Sequence, residues 1–329
     1  MNRSNLSVST LAIVLLACGS AIASPSGEGS LLVFPHYDSS SDRETVVFVT
    51  NTNPDRAPCE SRLAGEIAVR FQYFNADNPV EVFTRHETLV PGDTTGFIVG
   101  DHNPVYERGW LVVTAIDPDD WFRNVAFDHL VGRAWVVTAT GEAFDYTPVA
   151  FRSESTASAG CSLVSTDADF DGVADFDGVE YSTFPDRLVI DSFFEEDAGR
   201  SNDITLLAGG DRWIAEMDLL FLDNRGQRYT RSFNFYRWFS GELSQISQIA
   251  AHLDGDPEFP IQTGWVELRG TRMVDFAGNP VRDKSGEVVP APVLGLFVQS
   301  IAGGRASFGA GLFGSGSRDG LEVTPGNGS

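Results

Sequence analysis

Residues Glu66–Asp77 read EIAVRFQYFNAD, and 150 positions after Glu66 the run Glu216–Gly226 reads EMDLLFLDNRG. In the first run Ile67, Val69, Phe71 and Tyr73 alternate with Ala68, Arg70 and Gln72. That is the period-two pattern of a strand that packs through one face. Each run ends in turn-forming residues, Asn75-Ala76-Asp77-Asn78-Pro79 and Asp223-Asn224-Arg225-Gly226. Such residues tolerate tight or left-handed backbone and read as hairpin links.

The same order of cues extends outward from both runs. The first half carries LLVFPHY from Leu31, ETVVFVTN from Glu44, EVFTRHETLVPGDT from Glu81, RGWLVVTAI from Arg108 and LVGRAWVVTA from Leu130. The second carries RLVIDSFF from Arg187, NDITLLAG from Asn202, RYTRSFNFYRWFSGE from Arg228, TGWVELRG from Thr263 and VLGLFVQS from Val293. Trp110 and Trp265 stand 155 apart, close to the spacing of the opening pair. A conserved order of cues at near-constant spacing predicts an internal duplication. Val82, Thr84, Thr88 and Val90 make a β-branched face, and Phe233 and Phe235 alternate with Ser232 and Asn234. Helical periodicity is confined to Leu243–Leu253.

The predicted fold class is therefore all-β, two tandem immunoglobulin-like antiparallel β-sandwiches, with Trp110 and Trp265 as buried core residues. The expected division is a signal at 1–23, sandwiches at 28–155 and 186–310, an acidic connector at 156–185 and a glycine-rich tail at 311–329.

The chain has 329 residues, enough for two domains with their own cores. Its 23 basic residues face 46 acidic ones, a net charge of −23 that repels phosphate backbones and anionic lipid surfaces. Nucleic acid is excluded as an expected partner. Lys284 is the single lysine, and a carboxylate-rich surface of this kind suits a saline habitat.

Arg3, the apolar run Leu11–Ala17 and the small residues through Ala21-Ile22-Ala23 form an export signal. Two processing routes are open. One cuts after Ala23; the other treats Leu15-Leu16-Ala17-Cys18 as a lipobox, removes 1–17 and lipidates Cys18. Beyond the signal no run reaches the ~20 apolar residues that span a bilayer. The expected location is extracellular, periplasmic or anchored at the outer membrane. In an oxidising compartment Cys59 and Cys161 are the natural disulfide pair, the alternative being two buried thiols.

FPHYD at 34–38, VTNTN at 49–53 and the strand TLVPGDT at 88–94 resemble a group of uncharacterised exported bacterial proteins with tandem Ig-like sandwiches. The resemblance rests on strand and turn motifs and implies no catalytic residue. A second resemblance is local. Thr166–Tyr181 reads TDADFDGVADFDGVEY and is similar to calcium loops of the EF-hand, dockerin and thrombospondin type 3 kinds, which set oxygens at alternate positions around a tight turn. Asp167, Asp169 and Asp171 take the first ligand positions, the Val173 carbonyl and Asp175 the next, and Gly172 makes the turn. Gly178 stands where a bidentate acid is expected, so Asp177 or Glu180 must substitute. The alternative is a solvated acidic linker.

Two Asp-His pairs, Asp101-His102 and Asp128-His129, could meet at one sandwich end as metal ligands or as a base and its orienter; the alternative is backbone-bonded loop residues. His36, His86 and His252 have no motif around them. Neither a G-x-S-x-G elbow nor a phosphate-binding G-K-[ST] loop occurs. The expected function is a non-enzymatic structural or adhesive protein of the envelope or exterior that binds a protein or glycan. The alternatives are a carbohydrate-binding module using Trp121, Phe122, Trp213 or Trp238, and a secreted hydrolase.

Overall fold

A computed structural model describes residues 27–54, 65–78, 81–154, 164–167, 174–176, 179–185, 187–194, 199–209, 214–223, 226, 228–246, 263–282, 286–301, 307–312 and 322–323. Cys18, Cys59, Cys161, Asp169, Asp171, Val173, Asp177, Trp213 and His252 lie outside them.

The first half contributes β1 (Leu31–Asp38), β2 (Arg43–Asn51), β3 (Ile67–Asn75), β4 (Val82–Leu89), β5 (Thr94–Ile98), the single turn α1 (Val99–His102), β6 (Arg108–Asp117), β7 (Asp120–Asn124), β8 (Leu130–Thr138), β9 (Ala143–Tyr146) and β10 (Val149–Phe151). Next come β11 (Ala174–Asp175), β12 (Leu188–Phe194), β13 (Arg200–Ala208), β14 (Ile214–Asp223), β15 (Arg228–Tyr236), β16 (Trp238–Glu242) and the turn α2 (Leu243–Ile246). They are followed by β17 (Thr263–Val274), β18 (Val293–Ile301), β19 (Ser307–Leu312) and β20 (Glu322–Val323), the last pairing with β11.

All pairings are antiparallel. Sheet I runs β10-β1-β6-β3-β4 with β7 hung on β6, and sheet II runs β5-β2-β8-β9. Sheet III runs β12-β17-β14-β15, and sheet IV runs β16-β13-β18-β19. Set in chain order, β1-β6-β3-β4 matches β12-β17-β14-β15, and the other two sheets match in the same way. Even an irregularity recurs. The register of β1 on β6 shifts between Phe34 and Tyr37, and that of β12 on β17 shifts between Ile190 and Phe193. At the β14–β15 hairpin Gly226 takes φ 77° and donates its N–H to the Asp223 carbonyl, the turn its sequence predicts.

The immunoglobulin expectation needs correction at the ends of each sandwich. In that order the first strand joins the sheet of the second and fifth, and the last joins that of the third and sixth. Here β1 joins β3 and β6, while β8 joins β2 and β5. Alternation reports which residues face inward but is silent on which neighbour an end strand chooses.

Each sandwich closes over its own core. Ile67, Val69, Phe71 and Tyr73 meet Val47, Val49, Ala134 and Val136 from the facing sheet. In the second, Met217, Leu219 and Phe221 meet Ile204, Leu206 and Phe297. The opposite face of β3 departs from expectation, because Ala68, Arg70 and Gln72 are buried as well.

A third apolar cluster lies on the outward side of the same sheet. Leu31 and Val33 of β1, Phe74 of β3 and Trp110 and Val112 of β6 face outward from sheet I. They are covered by Phe176, Tyr181 and Phe184 from the acidic stretch, and by Leu207 and Leu294 of the second sandwich. Trp110 stacks on Phe74 at 4.9 Å, and β1 is buried along its whole length. The segment is tied down by backbone bonds from Thr166 N–H to the Asn124 carbonyl and from Ser182 N–H to the Arg152 carbonyl. Each buried aromatic ring contributes about 2 kcal/mol through area removed from water. The described part of the acidic stretch is thus a packed element, contrary to the solvated-linker alternative. The helix expected over Leu243–Leu253 appears as one turn at Leu243–Ile246, with the remainder outside the described residues.

Candidate functional site

Of the expected metal ligands, Asp167, Asp175 and Glu180 are described. The Asp175 N–H donates to Glu180 Oε2 at 3.0 Å, and the Glu180 carbonyl accepts from the Glu154 N–H. Glu180 is 3% exposed, so the turn closes over Tyr181, whose hydroxyl pairs with Thr166 Oγ1 at 3.0 Å. Among the described residues no group of three His, Cys, Asp or Glu side chains could hold a metal ion.

The histidines do not follow their sequence neighbours. His102 Nδ1 lies 2.7 Å from the Tyr73 hydroxyl and its Nε2 lies 3.2 Å from Glu87 Oε1. Burial drives the Tyr73 phenol far up, so it stays a donor; His102 Nδ1 then accepts and Nε2–H donates to Glu87. Burial also lowers the His102 pKa, with Glu87 opposing. The chain resembles a base with its orienter, yet Tyr73 is fully buried and no substrate reaches its oxygen. Its work is to pin α1 to β3 and β4. Asp128 is likewise spent on structure, accepting from Ser30 Oγ at 2.7 Å and from the Ser153 N–H at 2.8 Å.

His36 sits at the seam between the sandwiches. Its ring stacks on Trp238 at 6.2 Å, its carbonyl accepts from the Tyr146 hydroxyl, and its Nδ1 has no hydrogen-bond partner among the described residues. Burial pushes its pKa from an ordinary 6.5 down to about 4, against Asp38, which raises it. Beside it a cleft of about 120 Å³ is lined by His36, Arg43, Phe144, Asp203, Thr205 and Ser240.

Aromatic side chains face solvent in several places among the described residues, Phe276 beside Tyr236 on the second sandwich and two surfaces on the first. At the β6–β7 hairpin Trp121 is 54% and Phe122 83% exposed. The indole is steadied by His86 at 4.6 Å and by its own N–H to the Pro118 carbonyl, and the buried Arg70 donates to the Trp121 carbonyl. The outward face of sheet II is the second surface. It presents Val46 and Phe48 from β2, Ile98 from β5, and Val131, Trp135 and Val137 from β8. Trp238, expected as a surface aromatic, is instead at the seam. Tyr73, Glu87 and His102 have no shared motif in the sequence, because they meet only through the pairing of β3 with β4 and the folding of α1 against them.

No protein-family model matches the chain, and no curated protein matches it. Among solved structures it is similar to the PBSX exported protein XepA at 8% identity and a TM-score of 0.20, covering 74% of this chain and 83% of that one. The Momordica charantia 7S globulin follows at 7% identity and a TM-score of 0.17, covering 74% of this chain and 70% of that one. Similarity at that level supports no argument about fold or role. No helix among the described residues is long and apolar enough to cross a membrane.

Proposed function

We propose that this is an exported, non-enzymatic structural or adhesive protein of the bacterial envelope or exterior, built from a duplicated sandwich module, that holds a glycan or protein partner at its surface. The observation that carries the reading is the rigid hairpin tip, where Trp121 and Phe122 stand out while His86 and Arg70 fix the strand behind them. Exposed aromatics on a fixed backbone bind at low entropic cost, and surface loops on a packed scaffold are the usual place for recognition. The export signal, processed either after Ala23 or by lipidation at Cys18, and the Cys59–Cys161 disulfide belong to the same proposal.

Binding of wild-type protein to a glycan array, compared with Trp121→Ala and Phe122→Ser, tests the recognition step. Glycan binding lost in both variants supports a carbohydrate-binding role. Binding that survives in both removes the hairpin from it. Among the described residues the hydrolase alternative would draw on the Tyr73–His102–Glu87 chain or the seam cleft, and the first of these ends on a buried phenol.

The calcium proposal for Asp167, Asp169, Asp171, Val173, Asp175 and Asp177 or Glu180 is retained in a structural role. The support is the alternating carboxylate pattern of the sequence, and the bond from the Asp175 backbone N–H to Glu180 Oε2 fixes the turn beside it.

A further inference from the structure

The geometry points to the cleft at the seam as a binding site for a small zwitterion, a molecule of the free amino acid or betaine kind. Its carboxylate is held by Arg43 of the first sandwich and its cationic group by Asp203 of the second. Strand register puts these parts in place. On the outward face of sheet IV it aligns Trp238, Leu207 and Leu294 in one row, Ser240, Thr205 and Leu296 in the next, and Glu242, Asp203 and Val298 in a third. The first row packs into the third cluster, while Leu296 and Val298 reach the core of the first sandwich. The polar end of the same face is what remains, and there the cleft lies, lined from the first sandwich by Arg43, Thr138 and Phe144.

Charge selects the ligand. Arg43 and Asp203 line one cleft from opposite sandwiches, yet the ion pair that Arg43 makes is with Asp38, at 3.6 Å. That is longer than the ~2.7–2.9 Å of a charge-assisted hydrogen bond, so guanidinium N–H groups remain for a carboxylate. A simple anion would face the carboxylates of Asp203 and Glu142, and a simple cation would face Arg43. A molecule that carries both charges satisfies both walls, and the apolar lining of Val136, Leu296 and Val298 strengthens each contact by keeping the local dielectric low.

Two further observations agree. His36 lines the same cleft, and its buried Nδ1 lacks a hydrogen-bond partner among the described residues, an orphan of the kind that a bound water or ligand accounts for. Thr205 and Ser240 add hydroxyls 3.0 Å apart that can donate or accept toward the same space. At about 120 Å³ the cleft is below the roughly 300–1,000 Å³ of sites for drug-sized molecules, so its occupant is small. Interfaces between modules are a preferred place for such sites, and a ligand whose two poles rest on different sandwiches ties them together.

Titration calorimetry and thermal melting of the full processed chain with glycine, L-proline and glycine betaine test this, with acetate, ethylammonium and glucose as controls. At least one zwitterion should bind with a dissociation constant of about 1 mM or lower and raise the melting midpoint by mass action. Acetate and ethylammonium should bind about tenfold more weakly or not at all, because each leaves one pole unmatched. Arg43→Gln and Asp203→Asn should each weaken zwitterion binding about tenfold, with wild-type circular dichroism. Ser240→Tyr fills the cleft from an exposed position and should abolish binding while both charges stay in place. No zwitterion bound at the highest soluble concentration overturns the proposal, as does binding unchanged in all three variants. Glucose or acetate bound as tightly as the zwitterions also overturns it and assigns the cleft to a polyol or an anion. These outcomes leave the Trp121–Phe122 reading untouched, since neither residue lines the cleft.

Discussion

The Trp238 indole N–H donates to the Pro35 carbonyl across the seam at 2.9 Å, joining residues 203 positions apart. Pro35 lies at the irregularity where β1 shifts register on β6, so its carbonyl is turned out of the ladder toward the second sandwich. The two sandwiches are therefore welded by a specific polar bond set in an apolar cluster, with β1 buried on both faces as a result.

Trp238→Phe keeps most of the ring and loses the bond, so it should cost about 1 kcal/mol. Trp238→Ala also empties the space over His36 and should cost about 3 kcal/mol. Calorimetry checks both. The alanine variant should broaden or split the unfolding transition as the sandwiches uncouple, and an unchanged sharp transition would remove the seam from the folding unit.

Phe184 is fully buried in the third cluster, 5.0 Å from Phe151 and 5.2 Å from Phe176. Phe184→Ala should destabilise by about 3–5 kcal/mol, the range for emptying a packed aromatic site. It should also open the acidic stretch to proteases before global unfolding, which limited digestion and mass mapping would show. A solvated linker would give neither effect.

The sequence revealed inward faces better than coverings. Phe71, Tyr73, Phe221 and Phe235 were readable because alternation reports the pleat directly. Burial of Arg70 and Gln72 was not readable, because a strand buried on both faces can still alternate, and what holds Arg70, the Trp121 carbonyl and Asn124 Oδ1, is distant in sequence. Asp101 and Asp128 looked like partners of the adjacent histidines. Asp101 and His102 are neighbours on the single turn α1, where adjacent side chains do not face each other, and His102 instead finds Glu87 and Tyr73 by tertiary contact.

Calcium should raise the melting midpoint of the processed protein and EDTA should reverse the rise, because a ligand bound to the folded state alone stabilises it by mass action. Asp167→Asn together with Asp175→Asn should abolish the calcium response without changing the melt in EDTA. A midpoint indifferent to calcium from the outset would withdraw the metal from this stretch.

The seam also sets an acid limit. His36 is held near pKa 4 by burial, with Arg43 and Arg108 adding to the fall and Asp38 opposing it, whereas the unfolded chain titrates near 6.5. Between those values the unfolded state binds a proton that the folded state refuses. Stability contributed here is therefore complete above pH 6.5 and declines as pH falls toward 4, by about 3 kcal/mol across the window. His36→Phe keeps an aromatic ring beside Trp238 and Phe144 but cannot titrate. Urea unfolding at several pH values should show a flatter acid limb for that variant than for the wild type. Parallel limbs would mean that His36 is solvated, and that the seam is looser than its stacking distance implies.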